Sequence, residues 1–235
     1  MSQAVLVRIF LVWSVVGAVV MSGLVGEGEI AGWLGEGWLG VVVGAVLRAG
    51  DAIWMSLAFG LVVVWLWGRE GWRGVSWRCG VIVAGSAIIE TVGVLTGWPF
   101  GDYEYSDAMG LRVWGVLPYT IPLAWCNVLI GAAALIEQVW RRAPRVVVWV
   151  GVALLATLTD LLLEPVAWDV RGYWEWGTGG APPMANYVAW FVTSLVLAAC
   201  AFWRPLGKGE RGEFGVPVLV FVVMNLLFAS AHLGR

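Results

Sequence analysis

One histidine and one lysine in 235 residues remove several chemistries at the outset. His232 stands alone, so the histidine-rich di-iron site of membrane desaturases cannot be built. Lys208 falls in a predicted loop, which leaves no lysine for a retinal Schiff base inside a helix bundle. The three cysteines, Cys79, Cys126 and Cys200, lie in separate apolar runs without CxxC spacing. They indicate neither a disulfide framework nor a zinc site and are read as small packing residues. Charge is scarce as well: 13% of residues are charged, the net charge is −2 and the isoelectric point is near 5.4. Nothing in that balance calls for nucleic acid. No glycine-rich phosphate loop or dinucleotide fingerprint follows a strand pattern, and "GEGEIAG" is too weak a match to imply a nucleotide cofactor.

What fills the chain instead is apolar surface. Sixty per cent of residues are apolar and the mean hydropathy is +0.84, well outside the range of soluble domains. Runs near the ~20 residues needed to cross a bilayer fall at about 5–25, 51–68, 78–97, 116–140, 146–168, 185–203 and 214–234. The expectation is a single all-α, integral-membrane helical domain over 1–235, a bundle of about seven spans. Residues 30–48, glycine-rich and interrupted by Glu36, are read as an interfacial or re-entrant piece or an eighth span. The first run is long for a signal peptide and is read as retained.

Basic residues set the expected orientation. Arg69, Arg73 and Arg78 follow the second run, Arg141, Arg142 and Arg145 the fourth, and Arg204, Lys208 and Arg211 the sixth. The intervening connections carry acids: Glu27, Glu29 and Glu36, then Asp102, Glu104 and Asp107, then Asp169 and Glu175. Because Lys and Arg collect on the cytoplasmic side, the N-terminus is expected inside, in the plasma membrane.

Charged residues within spans cost ~2.5–3.5 kcal/mol each at mid-helix on insertion scales and therefore mark function. Few occur here: Asp51 and Glu137 near run ends, Glu90 in "VIVAGSAIIETVGVLTG", and the pair in "TDLLLEP". Four-residue spacing puts Asp160 and Glu164 on one helix face. Glu90 sits toward the same, non-cytoplasmic, end of its run, so the three carboxyls are expected to converge. In a partly dry pocket, desolvation and like-charge proximity favour the neutral acid over the carboxylate. The plainer alternative pairs these acids with Arg112 or Arg171, or uses them to cap helix ends. Eighteen tryptophans exceed what interfacial belts need. Trp98, Trp114 and Trp125 crowd one acidic loop; Trp168, Trp174, Trp176 and Trp190 crowd the other. Aromatic faces stabilise a carbocation and stack on a conjugated chain.

The blocks "ETVGVLTGWPFGDYEYSDAMGLRVWGVLPYTIPLAW" and "TDLLLEPVAWDVRGYWEWGTGGAPPMANYVAWF" resemble the carotenoid biosynthesis integral-membrane family, which includes carotenoid 1,2-hydratases of the CruF type. The resemblance rests on E-x2-G-x3-G-x-PFG-x-Y-x-Y, the following P-x3-P-x2-W, and D-x3-EP leading to W-x-W and P-x2-N. It implies addition of water to the terminal 1,2 double bond of an acyclic carotenoid ψ-end group, lycopene or gamma-carotene for example, with no cofactor and no metal. Asp160, Glu164 and Glu90 are then the expected acid–base group. Trp98, Tyr103, Trp125, Trp168, Trp174, Trp176 and Asn186 are expected against substrate, with Asp102 and Glu104 behind them on the loop. A lycopene-cyclase-like enzyme that shares the first protonation, and a carotenoid or lipid carrier or proton-coupled transporter, remain open as alternatives.

Overall fold

The computed structural model describes residues 3–21, 37–207 and 215–233. Glu27, Glu29, Glu36, Lys208 and Arg211, used above to orient the chain, lie outside the described residues, as does most of the ambiguous stretch before Gly37. The protein is all-α: α1 (Gln3–Met21), α2 (Trp38–Arg48), α3 (Gly50–Thr96), α4 (Thr120–Val139), α5 (Arg145–Pro165), α6 (Met184–Ala201) and α7 (Val216–Leu233). Four of these, α3 to α6, are long and apolar enough to cross a membrane. At eleven residues α2 is about 16 Å long and too short to cross alone.

The connection expected between runs 51–68 and 78–97 is helical rather than a loop. It is interrupted only at Gly71, whose φ of 66° and ψ of −174° belong to glycine. A straight helix of 47 residues would be about 70 Å long. Asp51 and Glu90, far apart along it, nevertheless line one cavity, so the chain doubles back at Gly71. The other helix ends fall within a few residues of the expected runs, because apolar length is what a bilayer selects.

Helix α4 is the axis of the bundle. It packs against α3, α5 and α7 and buries most of its surface, including Trp125, Cys126, Leu129 and Ala132 to Ala134. At one end of the bundle buried charge is matched ion for ion. Arg78 donates to both Glu70 carboxylate oxygens at 2.7 and 2.9 Å and to the carbonyls of Ala201 and Pro205. Glu137 pairs with Arg145 at 2.6 Å and accepts from the Leu206 amide at 3.0 Å.

The other end carries short strands that no local periodicity announced: β1 (Tyr103–Tyr105), β2 (Arg112–Val113), β3 (Leu117–Pro118) and β4 (Trp174–Trp176). β2 and β3 form a small hairpin. β1 and β4 come from loops about 70 residues apart and pair antiparallel, Tyr103 opposite Trp176 and Tyr105 opposite Trp174.

Candidate active site

Alternation along the β1–β4 ribbon builds the site. Successive side chains of a strand point to opposite faces. In "YEY" and "WEW" the four aromatics therefore turn inward and are buried, while Glu104 and Glu175 turn outward and are exposed. Each inward pair meets one glutamate. The Tyr103 and Tyr105 hydroxyls both donate to Glu90 Oε2 at 2.8 Å, and the Trp125 indole N–H donates to Oε1 at 2.8 Å. The Trp174 and Trp176 indoles donate to Glu164 Oε2 at 3.2 and 3.0 Å, and the Asn186 amide donates to Oε1 at 3.1 Å. Gly93, one turn beyond Glu90, makes the first arrangement possible: a Cβ there would lie 2.7 Å from Phe100 and 2.9 Å from the Tyr103 hydroxyl.

Burial, and then the neighbouring Glu90, push the phenols of Tyr103 and Tyr105 above their ordinary value. They are therefore donors throughout any working pH. Asp160, one turn before Glu164, is wholly buried. Its Oδ2 accepts from Asn186 at 2.8 Å, and its Oδ1 has no partner among the described residues.

All three carboxyls thus meet neutral phenol, indole or amide donors, and none is ion-paired among the described residues. Arg112 and Arg171, the arginines that the plainer reading assigned to them, pair elsewhere: Arg112 with Asp107 at 2.9 Å, Arg171 with Asp51 at 2.6 Å.

Glu90 and Glu164 open onto a cavity of about 130 Å³ whose wall is mostly apolar and aromatic. Tyr103, Trp125, Trp174, Trp176 and Asn186 line it as well; Asp160 stands behind the wall, joined to it through Asn186. Trp98 is 67% exposed and, like Trp168, Asp102 and Glu104, is not part of the lining. Trp98 belongs to the surface, and the strand alternation explains why Glu104 faces away.

Several lining residues were not among those expected against substrate from the sequence. Tyr105 shares the face of Tyr103, a signal readable from the Y-x-Y spacing. Trp190 stacks on Trp125 with ring centroids 4.1 Å apart and planes at 11°, backing the indole that holds Glu90. The Asp51–Arg171 pair joins the start of α3 to the loop after α5, and no local pattern foretells that contact. Among the described residues no group of three His, Cys, Asp or Glu side chains is arranged to hold a metal ion.

Residues 50–235 match the carotenoid biosynthesis protein family, a stretch that begins with α3 and includes the ribbon and all three carboxyls. The chain belongs to that family. A similar curated protein is the bisanhydrobacterioruberin hydratase of Haloarcula japonica, 30% identical over 112 residues. That stretch is 46% of this chain but 38% of the relative, so the likeness spans well under half of the relative's length. No solved structure matches the chain. Helix α1 lies outside the family match, yet its Trp13, Val16 and Gly17 complete the cavity wall.

Proposed function

We propose that this member of the family is an integral-membrane hydratase that adds water to the terminal 1,2 double bond of an acyclic carotenoid. In this reading the chain crosses the plasma membrane seven times with its N-terminus in the cytoplasm. The break at Gly71 supports that count, since each arm, 50–70 and 72–96, has the length of one span.

The observation that carries the reaction is the placing of two carboxyls, Glu90 and Glu164, held only by neutral donors, in the wall of a mostly apolar, aromatic cavity that the Asp51–Arg171 pair also lines. A trisubstituted alkene is a poor base, so a positioned acid must protonate its less substituted carbon. Glu164 is the assigned acid. Its proton passes to C2, the π electrons form the C2–H bond, and a tertiary cation develops at C1. Glu90 and the indoles facing it stabilise that charge, in a site whose donors are already oriented. Water forms the C1–O bond and returns a proton to Glu164. Proton and water balance the reaction, so it needs no cofactor. A C40 chain is on the order of 30 Å long, far more than a cavity of about 130 Å³ holds. One end group and water occupy the cavity, and the rest of the substrate runs past the apolar side chains of α1 and α7 toward lipid.

The relative's name supports a hydratase, and the test is product analysis in cells that make lycopene and express this chain. Pigment heavier by one or two waters is expected. A cyclised isomer would replace this reading by a cyclase, and unchanged pigment would replace it by a carrier or relay.

A further inference from the structure

Asp160 and Glu164 share a single donor residue. Asn186, near the start of α6 and 2% exposed, gives its amide nitrogen to Asp160 Oδ2 at 2.8 Å and to Glu164 Oε1 at 3.1 Å. A primary amide has two N–H bonds and one carbonyl. Both hydrogens are therefore committed, and turning the amide over would take both from these acceptors. That fixes Oδ1 on the opposite edge of the amide. It accepts no hydrogen bond among the described residues, and it is not among the fully buried polar atoms that lack a partner. Asn186 lines the cavity, so this acceptor is open to it, beside Glu164.

An alkene offers nothing to such an acceptor, and the phenols of Tyr103 and Tyr105 and the indoles of Trp125, Trp174 and Trp176 are already engaged with Glu90 and Glu164. Water is a donor that such an acceptor can hold. We propose that Asn186 orients the attacking water: its carbonyl accepts one hydrogen, and Glu164, having given its proton to the alkene, accepts the other. The oxygen lone pair then faces the C1 cation. The C1–O bond forms as the O–H bond directed at Glu164 breaks, which restores the acid, while the hydrogen held by Asn186 stays on the product hydroxyl. Asp160 is a positioning residue here, holding Asn186 from behind the wall. This role rests on the hydratase reading and deepens it.

The two steps separate in deuterated water. A cation that is formed but not hydrated loses a proton and returns as alkene carrying deuterium. The full chain and its Asn186→Ala variant, in membranes with lycopene in D2O buffer, are followed by mass spectrometry of hydrated and unhydrated carotenoid. Hydrated product is expected to fall about 10- to 100-fold, as for loss of one hydrogen bond at a charged reacting centre, while total deuterium entry falls less than about 3-fold. Hydration and deuterium entry falling together, or neither falling, would overturn the water role while leaving the hydratase reading intact. If the wild-type chain hydrates nothing, the hydratase reading itself is overturned and the water role goes with it. Should Asn186→Ala not accumulate, Asn186→Leu, which keeps the volume and also removes the acceptor, is judged by the same ratio.

Discussion

The Asp51–Arg171 pair aside, the two ends of the bundle bury charge in opposite ways. At one end Arg78 and Glu70 satisfy each other, and backbone carbonyls of the 201–205 segment take the remaining guanidinium hydrogens. At the other, Glu90, Asp160 and Glu164 are as deeply buried and hold no cation among the described residues. A buried ion pair is spent on itself: its charges are neutralised and its geometry is locked. Carboxyls held only by neutral donors keep their capacity to give and take a proton, and such groups inside a membrane protein mark function by default. On the proposed reading the first end holds helices together and the second acts on something placed in the cavity.

Substitutions can break that contrast. The largest effect is expected at the ion-paired end. Arg78→Leu leaves Glu70 without its cation and should lower stability by about 3–5 kcal/mol, the cost of breaking a buried pair, read as a fall in thermal midpoint in detergent. Hydration per folded molecule should be unchanged; a selective loss of activity would erase the distinction between the ends. Next comes Glu90→Gln, which keeps shape and removes charge. It should cost roughly 100-fold in hydration rate with a normal midpoint.

A smaller loss is expected from Tyr105→Phe, one of three donors to Glu90. About 10-fold in rate is the order of one hydrogen bond to a charged group. Because burial holds Tyr103 and Tyr105 above the ordinary phenol value, ionisation of these two should contribute no alkaline limb to the wild-type pH–rate profile. The smallest effect belongs to Glu104→Gln, on the outward face of the ribbon, where both rate and midpoint should stay within error.

Much of this contrast is legible in the sequence, because bilayer thickness and the cost of intramembrane charge act on local runs. The apolar stretches foretell the helices, and Glu90, Asp160 and Glu164 stand out as acids where lipid permits few. Position four apart foretells a shared face for the last two, but not that Glu164 reaches the cavity while Asp160 stops behind it. That difference depends on Asn186, contributed by another helix. The ribbon was hidden for a related reason: strands of three residues carry too little period to read, and their partners lie about 70 positions apart. Gly71 was hidden because one glycine among arginines and tryptophans looks like any loop glycine until the helices on both sides are seen.

Proton transfer from the neutral-donor end is tested most directly by the hydration rate of Glu164→Gln, normalised to folded protein and set beside wild type. Glutamine keeps an acceptor oxygen and nearly the same volume, so a structural role would survive the change. Acid catalysis by Glu164 requires a loss of about 100-fold or more. A variant that folds normally and hydrates lycopene at the wild-type rate would contradict it, and the proton would have to come from a group other than Glu164.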